Sequence, residues 1–554
     1  MASSAKAVWV VLIETTGNQR YIFATNRRAE NVGASQLIWE VGTLVLEAVA
    51  SEVGQQLSAS TPAQVRAALR DTERNPPIET APIDRCAVEI LVAASGKALL
   101  LTSDSRTARA IVAHVTRTAL RRMPGLDVRG AVHGPITLGS DSMHAAIRRV
   151  HNDLAALRAE LPGAELRFQR LPVVAPCATS GLPAAELDRS EPDAAEGERL
   201  RSVVSARKRD SRNAATARLV ATLGRPDYDP DDAIRRLEGD VEWVGLIHAD
   251  GNGIGQIFQS FDKAADAEAP AAYRRYLDEL RDFSLTLDEC AEEALRCAVG
   301  ERTSDGGDFA ILPLVLGGDD VTFLCDGRHA IRLAAAFLGA FANLTEHPVI
   351  SAIARRRLGS VSLGACAGVA IVKPHFPFHL AYDLTKDLTA SAKRVKTRAG
   401  PAATALDFHV LYDASGTDLE TIRARYAVLG GSATARPYVV GTPPSTEDPW
   451  VQNRRWSGLA AAVAWLAADR KKDDRQVPSS VLHGLREAIF RGVAAADATL
   501  AQARQRHLGG GLTGLLAVMD AGRNVPSGLS LFRGDDDDCV TGLIDALDLV
   551  EFWL

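Results

Sequence analysis

The stretch that most constrains this 554-residue chain is Ile311-Leu312-Pro313-Leu314-Val315-Leu316-Gly317-Gly318-Asp319-Asp320-Val321-Thr322-Phe323-Leu324-Cys325. Two apolar runs flank a Gly-Gly-Asp-Asp tip, which predicts a β-hairpin buried on both sides with paired carboxylates at its turn. Adjacent ionised carboxylates in a half-buried turn repel one another, and a divalent cation relieves that repulsion. A hard cation such as Mg²⁺ takes oxygen ligands and shares them with substrate phosphates. The same four residues also make an ordinary hairpin turn facing water, and by themselves they do not choose between the two.

A second stretch, Trp243 to Phe258, reads as an apolar strand ending in Asp250, then the glycine-rich turn Gly251-Asn252-Gly253-Ile254-Gly255, then a helix start. A nucleotide-polymerase palm needs this arrangement: one carboxylate ending its first strand, a helical crossover, and further carboxylates on a neighbouring hairpin. The interval from Asp250 to Asp319 leaves room for the crossover. Gly251, Gly253 and Gly255 would leave backbone N–H groups free to cradle a triphosphate, helped by the following helix N-terminus. An ordinary strand-to-helix turn has the same glycine spacing.

Composition narrows the class. With 46% apolar and 24% charged residues the chain has the make-up of a soluble globular protein, and its length suits two to four domains. A net charge of −6 argues against a generally cationic nucleic-acid binder, although local basic patches remain compatible with it. Seven cysteines show no Cys-x-x-Cys pair, which suits a reducing cytosol and carries no zinc signal. The apolar run Ala7 to Ile13 is too short to span a membrane, so a cytoplasmic protein without membrane attachment is expected.

Along the chain, the order strand, helix, hairpin, helix occurs twice. Val88–Val92 and Lys97–Leu101 form the first hairpin, whose tip lacks a carboxylate pair and is expected to be structural or ligand-binding. The expected fold is α+β, with two ferredoxin-like palm units, a helical linker and a C-terminal helical bundle. Boundaries are placed at 1–165, 166–240, 241–430 and 431–554. The basic residues Arg201, Arg207, Lys208, Arg209, Arg212 and Arg218 read as a solvated helix face rather than an RNA or subunit contact. Lys393 ends an amphipathic helix starting at Phe378, where it either complements the helix dipole or reaches a phosphate. The run Asp535–Asp538 reads as a solvated flank of a helix, since the alternation of a calcium loop is missing.

Several of these pieces occur together in one order: Tyr21-Ile22-Phe23-Ala24-Thr25-Asn26 with Gly33-Ala34-Ser35, Cys177 to Ala184, His248 to Gly255, Phe283-Ser284, Gly317 to Asp320, and Ala392-Lys393. In that order the chain resembles the large-subunit polymerase/cyclase of type III CRISPR effector complexes, in the Cmr- or Csm-type branch. The resemblance implies a degenerate first palm, a catalytic second palm and Mg²⁺- or Mn²⁺-dependent nucleotidyl transfer that joins ATP into cyclic oligoadenylate. It makes Asp250, Asp319 and Asp320 metal ligands and catalytic residues, and Gly251, Asn252, Gly253, Gly255, Ser284, Gly317, Gly318 and Lys393 nucleotide contacts. Ser284 is equally placed to cap the helix that Asp282 is expected to open. Implied partners are the other effector subunits, with guide RNA and target RNA reached through the complex and target RNA as activator.

Three departures stand out. The chain begins at a palm-like strand, so the family's HD nuclease is not expected. The paired-cysteine zinc site of many members is not evident. Asn252 stands where members often carry a second acidic residue. A stand-alone cyclic-nucleotide or dinucleotide synthase, and a catalytically silent scaffold subunit, are the alternative readings.

Overall fold

A computed structural model describes residues 6–55, 57–80, 86–94, 96–189, 196–264, 269–304, 309–412, 416, 418–442, 448–471, 476–506, 510–520, 530–534 and 539–553. The aspartates 535–538 discussed above lie outside the described residues.

The first unit runs β1 (Ala7–Thr16), α1 (Arg28–Val53), β2 (Val88–Ala94), β3 (Lys97–Thr102), α2 (Ser105–Arg122) and β4 (Asp127–Thr137). Its strands form a four-stranded sheet in the order β2-β3-β1-β4, with every pairing antiparallel. Alternate residues of β1 serve two cores. Val11 and Ile13 join the side chains of α1 and α2, whereas Val8, Val10 and Leu12 join α3 (Met143–Glu160). A strand apolar on both faces must be covered twice, and that is why Val10 to Ile13 of β1 are fully buried. Each such aliphatic side chain contributes roughly 1.5–3 kcal/mol by leaving water.

The second unit repeats the order: β5 (Val244–Gly251), α4 (Tyr273–Ser304), β6 (Ile311–Gly317), β7 (Asp320–Asp326), α5 (Gly327–Leu344) and β8 (Ala365–Val372). After α6 (Phe378–Ala392) come β9 (Thr404–Val410), parallel to β8, and β10 (Tyr438–Val440). The six-stranded order β10-β9-β8-β5-β7-β6 contains the first sheet's order, strand for strand, in its last four members. The chain is thus a mixed α/β protein built on a duplicated βαββαβ unit, and most of the elements after β10 are helices.

Two contacts tie the units together near the second hairpin. Glu89, fully buried on β2, accepts hydrogen bonds from Arg274 at 2.7 Å and from Arg281, both on α4. Arg66 reaches Asp288 and Glu292 on the same helix, each at 2.6 Å. Further on, the Asn26 side chain accepts from the Phe378 N–H at 2.9 Å, so the first unit caps the helix that ends at Lys393. Phe23 packs against Phe378 and Tyr382 of that helix, with ring centroids 5.1 and 4.3 Å apart.

The basic stretch after residue 200 departs in part from the expected solvated face: Arg207 is exposed and Arg209 and Arg212 are half-buried. Arg201, Lys208 and Arg218 are buried. Lys208 donates to the Tyr21 carbonyl, and Arg218 donates to Gln36 at 2.7 Å and Ser35 at 2.9 Å on α1. Long side chains with apolar stems can cross a helix interface and end on carbonyls, which a charge pattern does not reveal. Helix α1 is long and apolar enough to span a bilayer by composition, yet 78% of that window is buried inside the protein.

Candidate active site

Strand β5 lies between β8 and β7, and its end sets the floor of the site. Asp250 stands directly opposite Asp320 in the antiparallel β5–β7 register, and Gly317 stands opposite Asp320 in the hairpin. Gly318 turns the tip with φ of 62°, a backbone that a side chain disfavours. The Gly251 N–H donates to the Asp319 carbonyl at 3.2 Å, which fixes the tip against the strand end. The expected hairpin and the expected approach of the three carboxylates are both present.

Their electrostatics reflect that crowding. Burial and the nearby Asp250 push the Asp319 carboxyl up to about 6. Burial, Asp250 and Asp319 push Asp320 up to about 7. The Oδ1 of Asp320 is buried without a hydrogen-bond partner. Lys393 Nζ forms a short ion pair with Asp250 Oδ2. Among the described residues no group of three or more His, Cys, Asp or Glu side chains is already arranged to hold a metal ion. The floor therefore holds excess negative charge, partly met by one ammonium, with an unsatisfied oxygen beside it.

The remaining nucleotide contacts expected from the sequence divide into two groups. Gly255, Ser284, Gly317, Gly318 and Asp319 line a cavity of about 820 Å³ beside the floor, whose lining does not include Asp250, Asp320 or Lys393. Gly251 and Asn252 do not contribute N–H groups to it, because these already donate to Asp319 and to the Gly364 carbonyl. Asn252 is fully buried and donates its side-chain amide to the Ala403 carbonyl at 2.7 Å. It braces the sheet instead of touching a nucleotide, a correction to its expected role. Gly253 starts the short helix Ile254–Gln259 with φ of 76°. Ser284 lies well inside α4, so a capping role is also excluded. Lys393 meets a carboxylate in this state, not a phosphate.

Some residues of the site were not singled out from sequence. His248 on β5 places Nδ1 3.0 Å from Thr322 Oγ1 and 3.4 Å from Asp320 Oδ1. Burial lowers its pKa to about 4, so it is neutral at physiological pH. The far wall of the cavity comes from the first unit: Lys97, His144, Arg148, His151 and Asn152. The duplicated fold explains this placement. Glu14 faces Lys97 and Lys97 faces Ala94, matching Asp250, Asp320 and Gly317 of the second unit position for position. Lys97 lies 2.9 Å from Glu14, and Arg158 lies 2.8 Å from it. The first site has become an ion-paired basic wall facing the acidic floor of the second.

A family model described as Cas10/Cmr2, second palm domain, matches residues 243–400. This span holds the whole acidic floor. Residues 243–400 thus match the Cas10/Cmr2 second palm in sequence pattern. No curated protein matches the chain. Among solved structures, the fold of nearly the whole chain is similar to one in the cryo-EM structure of type III-B Cmr-beta in the apo state. The TM-score is 0.51 at 9% identity, covering 99% of this chain and 81% of that one. A chain of the Csm1-Csm4 cassette in complex with pppApApA gives a TM-score of 0.44 at 13% identity, covering 94% and 71%. The same cassette in complex with one ATP gives 0.39 at 13% identity over 72% of this chain, which spans 55% of that relative. The matched palm thus sits in a chain whose first unit shares its strand order but carries Glu14 and Lys97 where the second has Asp250 and Asp320.

Proposed function

We propose that this chain is the large subunit of a type III CRISPR complex and makes cyclic oligoadenylate from ATP when target RNA is bound. The reading is carried by one observation: Asp250 and Asp320 stand abreast, and Asp319 at the adjoining turn lines a cavity large enough for nucleotides. The match to a Cas10/Cmr2 second palm supports the same reading.

The donor set suits a hard divalent cation, because it offers carboxylate oxygens, one of them buried and unpartnered. Asp250, Asp319 and Asp320 would hold Mg²⁺ or Mn²⁺, which would supply positive charge against the phosphates and lower the pKa of the attacking hydroxyl. For that, Asp250, now paired with Lys393, would turn to the cation, and the Lys393 ammonium would become available to a triphosphate oxygen. Gly317 and Gly318 leave the floor without side chains, so a phosphate can approach the hairpin backbone closely. Arg148 and Lys97 on the opposite wall oppose the charge of a polyphosphate. The reaction class is attack of a 3′-hydroxyl on an α-phosphorus. A phosphodiester bond forms, the bond to pyrophosphate breaks and the hydroxyl proton is released.

The pairing of Lys393 with Asp250 also favours a second reading, a silent scaffold in which the ammonium permanently takes the cation's place. Incubating the chain, with its partner subunits and target RNA, with ATP and Mg²⁺ or Mn²⁺ separates the two. Pyrophosphate and cyclic oligoadenylate from wild type, absent with Asp319→Ala/Asp320→Ala, support the cyclase. Absence of product from wild type under these conditions supports the scaffold, and a cyclic mono- or dinucleotide product points to a stand-alone synthase.

A further inference from the structure

The segment between the two palms contains two pairs of positions with the same spacing, Cys177-x-x-Ser180 and Ser202-x-x-Ser205. Two such pairs brought together are the usual frame of a structural zinc site, each turn supplying two thiolates. Here the frame is folded. The Cys177 N–H donates to the Leu182 carbonyl at 2.7 Å, and Gly181 closes that turn with φ of 64°. Ser202 caps the helix Val203–Asp210 by accepting from the Ser205 N–H at 3.2 Å. The short strands Glu186–Leu187 and Leu200–Arg201 pair, and the Ala178 N–H donates to the Leu200 carbonyl at 3.0 Å. These bonds bring the two turns face to face.

Across the gap the side chains meet in two bonds. Cys177 Sγ lies 3.4 Å from Ser205 Oγ, and Ser180 Oγ lies 3.1 Å from Ser202 Oγ. Around a zinc ion with Zn–S of about 2.3 Å, neighbouring sulfurs stand about 3.8 Å apart, so the two separations across the gap are a little shorter than those a zinc ion would set. Zinc takes thiolate, imidazole or carboxylate, and three neutral hydroxyls do not satisfy it. The zinc ion suggested by the family resemblance therefore does not fit the residues present.

We infer that residues 176–187 and 200–205 form a metal-free knuckle, in which hydrogen bonds among Cys177, Ser180, Ser202 and Ser205 close the two turns that a zinc ion would otherwise clamp. Neighbouring groups complete the network. Thr179 Oγ1 lies 3.0 Å from Ser205 Oγ and donates to Glu30 of α1 at 2.9 Å. Burial raises the Cys177 thiol, but hydrogen bonding with Ser180, Ser205 and Thr179 outweighs it and brings the group to about 5. The knuckle thus docks on the first palm through side-chain hydrogen bonds, whatever reaction the second palm performs.

The test is the metal content and melting temperature of full-length protein purified under reducing conditions. Wild type is expected to carry less than about a tenth of an equivalent of zinc and to melt at the same temperature with and without chelator. The variant Ser180→Cys/Ser202→Cys/Ser205→Cys is expected to bind about one zinc per chain, to lose stability on chelation, and with Co²⁺ to show the visible absorption of tetrahedral thiolate ligation. Stoichiometric zinc in wild type, removed by chelator with a fall in melting temperature, would overturn the inference. So would a folded, reduced triple variant that binds none. A second variant does not depend on that protein folding: Cys177→Ser, which keeps a hydrogen-bonding group in place, should melt within about 2 °C of wild type. A drop as large as that of Cys177→Leu would contradict the network.

Discussion

At the scale of single residues, the acidic floor sets the chemistry. Asp319→Asn or Asp320→Asn should lower ATP turnover more than about 100-fold, beyond the 10–100-fold typical of changes around a metal's outer shell. Steady-state pyrophosphate release measures this. Lys393→Gln separates two roles of one ammonium. Removing it from Asp250 leaves the carboxylates more available, so Mn²⁺ affinity measured by calorimetry should be kept or rise while ATP turnover falls. A parallel loss of cation binding would contradict this. Titration gives a further expectation. Protonated Asp319 and Asp320 are favoured in the folded state, with pKa values of about 6 and about 7 against the ordinary Asp value. The cation-free protein should therefore lose stability as pH rises from about 4 through about 7. Melting in chelator between pH 5 and 8 tests this; a decline that Mg²⁺ reverses at pH 8 is expected, and a rising profile counts against it.

At the scale of elements, the site depends on how α6 seats on the sheet. A Cβ at Gly368 of β8 would come within 2.2 Å of the Thr385 carbonyl on α6. Gly368→Ala must push that helix outward, at a cost of about 1–3 kcal/mol in chemical denaturation, and it should displace Lys393 and reduce turnover. By contrast, a Cβ at Gly255 meets nothing within 4 Å, so Gly255→Ala should leave stability unchanged within about 0.5 kcal/mol. This contrast also marks what was legible in the sequence. Strands β1, β2, β3, β5, β6 and β7 announced themselves as short apolar runs bounded by turn residues, and the repeated order announced the duplication. The backbone bonds that consume the Asn252 N–H and the side-chain amide were not legible, because they depend on where β8 and the approach to β9 arrive. Nor was the burial of Lys208 and Arg218, since a basic helix pattern is the same whether its stems cross a neighbouring helix or water. Serines at metal-ligand spacing gave no signal, as their meaning lies in the fold around them.

At the scale of the whole molecule, duplication has placed unlike charges on the two sides of one cleft. The register that sets Asp250 beside Asp320 in one unit sets Glu14 beside Lys97 in the other. The overall charge of −6 conceals this local opposition. Arg148→Glu, an exposed change on the first unit's wall, should weaken binding of a non-hydrolysable ATP analogue about tenfold or more, as loss of a charge pair in a partly desolvated cleft implies. It should leave the melting temperature in place, and unchanged nucleotide affinity would remove the first unit from the site. The central claim, that three carboxylates hold divalent cations against a nucleotide, is reached most directly by counting bound manganese. Electron paramagnetic resonance of the protein with Mn²⁺ and the non-hydrolysable analogue should show tightly bound metal in wild type and its loss in Asp250→Asn/Asp319→Asn. Equal manganese binding by the two proteins would contradict the account.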